Sequence, residues 1–355
     1  MELGLFLPTG RRGYLTSSTA PMNEPTFALN RDIVLAGERY GIDFALSMVK
    51  FRGFGGESQY WDGSLEPFTL IAALAAVTKR INLFATAASL LMPPAVVARM
   101  AATVDSVAPG RFGVNVITGW QKTEYEQMGM WPGDVHFERR YEYLDEYVRV
   151  FKDLCATGRS DFKGRYFTRS DCRLEAPPKR PISLVVAGGS DAGLAFAARH
   201  CDYNFCAAPD TINKPEAVAA PVGRLMTVAT KAGRHVKALV WVTIIADDTD
   251  AAAMARWEKY RAGTDLVALD WARKQASADA KNDDPNSTKS RRLPSEPTPT
   301  TSMKLIGSYE TVARLLREIA GTAGLTGIML SFDDFREGIE MFGERVVPRM
   351  ERRFG

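Results

Sequence analysis

INLFATAASLLMPPAVVARMAATVDSVAPGRFGVNVITGWQKTEYEQMG, residues 81 to 129, holds two short apolar runs, INLFATA and RFGVNVI. Between them, from about Pro94 to Val107, apolar residues recur at helical spacing. Runs of successive rather than alternating apolar residues suit strands buried on both faces, so the stretch predicts a strand, a crossover helix and a second strand. The second run then releases a polar segment, which raises the question of what chemistry needs Asn115, Thr118, Trp120, Lys122, Glu124 and Tyr125 together.

The same alternation extends in both directions. ELGLFLP (2–8) precedes a helix over Thr26 to Tyr40, and DFALS (43–47) precedes one over Glu66 to Lys79. Beyond the polar segment, a long amphipathic helix is predicted over Val135 to Ala156. PISLVVA (181–187), DYNFCAA (202–208) and VKALVWVTII (236–245) precede helices over Ser190–His200, Lys214–Ala232 and Asp248–Arg261. A last unit joins a helix over Ser308–Ala320, the strand LTGIMLSF (325–332) and a closing helix over Asp334–Arg349. Eight strands, each trailed by a helix, predict an α/β chain folded as a (β/α)₈ TIM barrel rather than an open doubly wound sheet. It is expected to form a single domain over 1–355 with two interruptions. DFKGRYFTRSDCRLE (161–175) reads as a small hairpin inserted near 160–176, and the polar, Pro-rich stretch 277–303 reads as a mobile loop or lid with too little apolar surface to fold alone.

Bulk properties exclude several classes. With 355 residues, 46% hydrophobic and 25% charged, the chain can bury a large core. Its 45 basic against 42 acidic residues give no field of the kind that neutralises nucleic-acid phosphates. Cys155, Cys172, Cys201 and Cys206 form no CxxC pair and follow no secretory leader, so reduced thiols and a cytoplasmic location are expected. No apolar run approaches the roughly 20 residues of a membrane span. His136, His200 and His235 lack metal-triad spacing, so no metal is expected. There is no GxSxG elbow, P-loop or GxGxxG at a strand-to-helix junction.

In such barrels the chemistry sits at the C-terminal ends of the strands. AGGSDAG (187–193) places free N–H groups and a helix start where a phosphate could bind, although a tight turn capped by Ser190 explains the same residues. Arg139, Arg140 and Tyr141 open the long helix near that rim, as a phosphate clamp or as an exposed helix face. Asn115 puts an amide in the middle of VNVI, which costs free energy unless a ligand or neighbouring strand backbone pairs with it. Thr86 is a strand threonine or a polar group facing the site, and Lys50 could reach an anionic ring or lie in water. Trp61, Trp120 and Trp131 offer flat apolar surface, as mouth or as core. A phosphate cradle, aromatic walls, Asn and Thr without a strong acid–base team suggest that an organic cofactor carries the reaction.

Several segments carry a family resemblance: PTFALNRDIVLAGERYGIDFALSMVKFRGFGG (25–56), TGWQKTEYEQMGMWPGD (118–134), RRYEYLDEYVRVFKDL (139–154), GGSDAG (188–193) and SFDDFREGIEMFGERV (331–346). Over nearly its whole length the chain resembles the bacterial luciferase-like, FMN-dependent monooxygenases, and within them the pyrimidine oxygenases that open the uracil ring. The resemblance implies reduced FMN, supplied by a separate NADH-dependent flavin reductase, with O₂ as co-substrate reacting at flavin N5 rather than C4a. It implies cleavage of uracil or thymine between N3 and C4 to ureidoacrylate products. By the same resemblance Val49, Lys50, Asn115, Glu124, Arg140, Tyr141 and Ser190 would contact FMN, the last three near its phosphate. Leu46, Thr86 and Asn115 would line a small pocket where O₂ meets the flavin. The likeness is weakest over 209–225 and 277–303, so other amides, sulfones or halogenated aromatics, and a flavin-binding barrel without oxygenase activity, stay open as readings. Barrels of this kind often dimerise, which leaves a homo-oligomer open as well.

Overall fold

A computed structural model describes residues 1–279, 284–287, 290 and 296–350. Its barrel strands are Glu2–Phe6, Phe44–Ser47, Asn82–Ala88, Phe112–Ile117, Ser183–Val186, Tyr203–Cys206, Lys237–Asp247 and Leu325–Phe332. Each pairs in parallel with the next, and the eighth pairs with the first, Glu2 opposite Gly327 and Leu5 opposite Leu330, so the sheet closes on itself. This is the (β/α)₈ barrel that the alternation predicts. Helix starts follow local chemistry. Thr26 accepts from Leu29 N, Glu66 accepts from Phe68 N and Thr69 N, and Pro67 and Pro94 open their helices where a missing N–H costs nothing. Among the described residues no helix is long and apolar enough to cross a membrane.

The inserted hairpin is present. Arg159–Ser160 pairs antiparallel with Cys172–Arg173, so the first strand begins just before the expected stretch and the second lies within it. Of the expected loop 277–303, residues 280–283, 288–289 and 291–295 lie outside the described residues.

Three elements escaped the sequence reading. A short helix, Lys122–Glu126, interrupts the polar segment, and Leu266–Ser277 forms a further helix near the barrel mouth. The strand Met303–Ser308 lies beside the seventh barrel strand, Met303 opposite Val242 and Ser308 opposite Asp247. It takes the upper half of a strand whose lower half pairs with the sixth, where Cys206 meets Val240. Lys304 hides this element from a hydropathy reading. Its ammonium is buried, pairs with the Asp210 carboxylate, donates to Ser302 O at 3.1 Å and lies 5.2 Å from the Trp257 ring.

Inside the barrel Phe44, Leu46, Phe84, Val185, Phe205, Leu239 and Met329 form one cluster. Two glycines make room for its rings. A Cβ on Gly4 would stand 2.1 Å from the Phe44 ring, and one on Gly113 would stand 2.4 Å from Phe84 and 2.9 Å from Ser183 O. The rings plug the barrel floor, and a cavity lies toward the C-terminal ends of the strands. Gly113→Ala is expected to lower stability by about 1–3 kcal/mol through overpacking. Denaturant unfolding checks this, and an unchanged midpoint would contradict it.

Candidate active site

A cavity of ≈ 290 Å³ opens above that floor. Its wall includes Leu46, Val49, Lys50, Thr86, Asn115, Arg140, Tyr141 and Ser190, so the structure gathers eight of the nine residues singled out from sequence. Glu124 stands one layer behind, where its carboxylate accepts from Phe51 N at 2.6 Å and from Lys50 Nζ at 3.1 Å. The segment after the fourth strand divides likewise. Trp120 faces the cavity with Trp61, whereas Lys122 turns to the surface to pair with Asp134 at 2.8 Å. Tyr125 packs under Gly119 as core, and Trp131, half-buried, packs on Phe137 and His136; both lie off the cavity wall. Arg139 is exposed.

At the floor of the cavity the Thr86 hydroxyl donates to Ser47 O at 2.7 Å, which commits its only hydrogen. It can therefore only accept from Asn115 Nδ2, 3.1 Å away, and this fixes the orientation of the amide. Asn115 Oδ1 is left buried without a hydrogen-bond partner among the described residues. An orphaned buried acceptor costs about 1–3 kcal/mol, which a ligand N–H would offset. Asn115 is thus bonded to a neighbouring side chain, not to strand backbone.

The opposite end suits an anion. Ser190 caps the helix Asp191–His200 by accepting from Gly193 N at 3.3 Å, and the Tyr141 hydroxyl bonds Ser190. The turn reading of AGGSDAG is therefore correct for Ser190, which lines the cavity as well. Gly188 and Gly193 approach so closely that a Cβ on Gly188 would stand 2.9 Å from the Gly193 backbone. Arg140 forms a buried ion pair with Asp279 at 3.0 Å, and the Asp284 carboxylate accepts from Asp191 N at 2.8 Å. The carboxylates of Asp279 and Asp284 thus sit on the two groups of this end that suit an anion.

Lys50 lies between the two ends. Its ammonium donates to Gln121 Oε1 at 2.5 Å and lies 5.3 Å from the Trp120 ring, 5.5 Å from Trp61 and 5.7 Å from Phe54. Its carboxylate partner and aromatic faces hold one positive charge at the cavity wall. Gln121, fully buried, was invisible in sequence because its role depends on where Lys50 falls.

His136 was also missed. Its Nε2 hydrogen-bonds Thr118 O at 2.6 Å and so ties the loop after the fourth strand to the long helix. Burial pushes its pKa below the usual value and nearby Arg140 acts in the same direction, outweighing the Thr118 carbonyl and Asp279. The neutral ring donates this bond. A depressed folded-state pKa means that its stabilising contribution is complete above the unfolded value of about 6.5 and is lost as pH falls through the lower folded value. His136→Gln keeps a donor that does not titrate. The drop in Tm between pH 7.5 and pH 5.5 is expected to shrink in this variant, and an undiminished drop would contradict the assignment.

A closed parallel barrel with a helix start and a buried arginine at its rim and a polar pair deep in its cavity meets the comparison with known proteins at this point. The luciferase-like monooxygenase family model matches residues 1–326, and the chain belongs to that family. It is an enzyme of the monooxygenase class. Among curated relatives, the pyrimidine monooxygenase RutA of Enterobacter sp. strain 638 is 51% identical over 353 residues, covering 99% of this chain and 97% of that protein. The pyrimidine monooxygenase RutA of Klebsiella pneumoniae is 52% identical with the same coverage. Among solved structures, DmoA from Hyphomicrobium sulfonivorans matches with a TM-score of 0.81 at 19% identity, over 99% of this chain and 88% of that one, a likeness of fold.

Proposed function

We propose that this chain is a two-component pyrimidine monooxygenase that uses reduced FMN and O₂ to open the uracil or thymine ring between N3 and C4, giving a ureidoacrylate product. The observation that carries the reading is the buried Asn115 Oδ1, an acceptor with no partner among the described residues, at the floor of a cavity whose other end suits an anion. Relatives of 51% and 52% identity that are named pyrimidine monooxygenases support the substrate.

The residues present fit a flavin mononucleotide. Arg140, Ser190, Tyr141 and the backbone at Gly188–Gly189 would hold its phosphate, with Val49 and Lys50 along the ring and Glu124 steadying Lys50. Bound in reduced form, the flavin supplies the two electrons that activate O₂. Asn115 Oδ1 would accept an N–H from a ring system in the cavity, and Leu46 beside Thr86 and Asn115 leaves an apolar recess with one fixed dipole for O₂. Trp61 and Trp120 exclude water from the mouth. Reduced FMN would come from a separate NADH-dependent flavin reductase, and the barrel would act as one unit over 1–355, in the cytoplasm.

Incubating uracil with the protein, FMN, NADH and a generic flavin reductase tests the reading. A ring-opened product that disappears when FMN is omitted is expected. Unchanged uracil alongside working reductase would overturn the substrate.

A further inference from the structure

We propose that Trp241, oriented by Ser331, is the platform on which the substrate ring stacks, and that it makes the enzyme select flat, unsaturated rings. The inference rests on the oxygenase reading above and adds the substrate side of the cavity. Trp241 lies mid-way along the seventh barrel strand and packs with the interior cluster. It and Phe6 keep accessible surface although both point into the barrel, and both line the cavity, so that surface faces the ligand space.

Four rings form a continuous wall. Phe6 stacks on Tyr14 at 4.1 Å and 22°, Trp241 meets Phe6 at 5.4 Å and Tyr14 at 5.3 Å edge to face, and Tyr14 meets Trp61 at 6.3 Å. The N–H and O–H groups of this wall all point away from a ligand. The Tyr14 hydroxyl donates to Leu7 O at 2.8 Å, Trp61 Nε1 to Gly13 O at 2.7 Å and Trp241 Nε1 to Ser331 Oγ at 2.8 Å. A wall with no donor left reads a ligand by its π surface rather than by its polar edge. Residues assigned to the flavin lie on the fourth strand, in the segments that follow the second, fourth and fifth strands, and on the long helix, whereas Phe6, Trp241 and Met329 come from the first, seventh and eighth strands.

The indole can only donate, so Ser331 must accept from it and turn its own hydrogen elsewhere. Thr243 Oγ1 lies 2.9 Å away, and Ser302 Oγ lies 2.6 Å beyond that. Ser331 and Thr243 are fully buried, while Ser302 lines the cavity. The hydroxyl row thus starts at the indole and returns to the cavity at Ser302, the polar group beside an otherwise apolar wall. Ser331 touches no ligand and is a positioning residue.

The test measures kcat and KM for uracil, the affinity for oxidised FMN, and competitive inhibition by 5,6-dihydrouracil, which keeps the polar edge but is not flat. Trp241→Leu is expected to raise KM about 5- to 100-fold, with FMN affinity retained and the preference for uracil over dihydrouracil lost. Trp241→Phe restores most of both. Ser331→Ala raises KM by less at unchanged kcat, and Ser331→Thr rescues it. Unaltered KM and preference in Trp241→Leu would overturn the proposal, as would a loss of FMN affinity as large as the rise in KM. Uracil turnover with an indifferent Trp241 defeats the platform and leaves the oxygenase reading standing. No uracil turnover, with Trp241-dependent binding of another flat heteroaromatic ring, does the reverse.

Discussion

Asn115→Ala is expected to lower uracil turnover by about 100- to 1,000-fold, the range seen when one preorganised polar group is removed from a reaction site. FMN affinity should change by less than about tenfold, the worth of one ordinary hydrogen bond. The separation follows from position. Asn115 sits at the cavity floor and its side chain bonds Thr86 alone among the described residues, while the groups proposed for the phosphate stand at the other end on the long helix and the fifth-strand turn. Thr86→Val should act in the same direction, because it removes the acceptor that orients Asn115 Nδ2 and leaves Ser47 O without its hydroxyl donor. Steady-state turnover and FMN titration of both variants decide the matter. Full activity in Asn115→Ala would contradict the assignment.

The second large effect concerns the anion end. Arg140→Gln is expected to weaken FMN binding by about tenfold or more, since hydrogen bonds to charged groups are worth about 1.5–3 kcal/mol. The same change leaves Asp279 buried without its guanidinium, so a fall in thermal stability should accompany it. Asp279→Asn separates the two effects. It removes the carboxylate that holds Arg140, and FMN binding should tighten if phosphate and Asp279 compete for that guanidinium. Equal FMN affinity in wild type and Arg140→Gln would show that the phosphate lies elsewhere.

The barrel was legible because its strands are apolar on consecutive positions, as strands covered on both faces must be, and because Thr26, Pro94 and Ser190 mark helix starts by local chemistry. Asn115 stood out for the same reason in reverse, as one amide in an apolar run. What stayed hidden depends on contacts distant in sequence. Gln121 matters because Lys50 lies against it, Asp279 because Arg140 does, and Ser331 because Trp241 donates to it. The strand Met303–Ser308 was concealed by a lysine whose charge Asp210 neutralises. Lys122 and Tyr125 share the polar segment with Trp120, yet the short helix Lys122–Glu126 turns them away from the cavity.

The most direct measurement is mass spectrometry of the product formed from uracil under ¹⁸O₂, with FMN, NADH and a flavin reductase, in wild type and Asn115→Ala. A ring-opened product carrying one ¹⁸O atom from wild type, and its near absence from the variant despite retained FMN binding, is the predicted result. Unlabelled product, or equal labelled product from both proteins, would contradict the account.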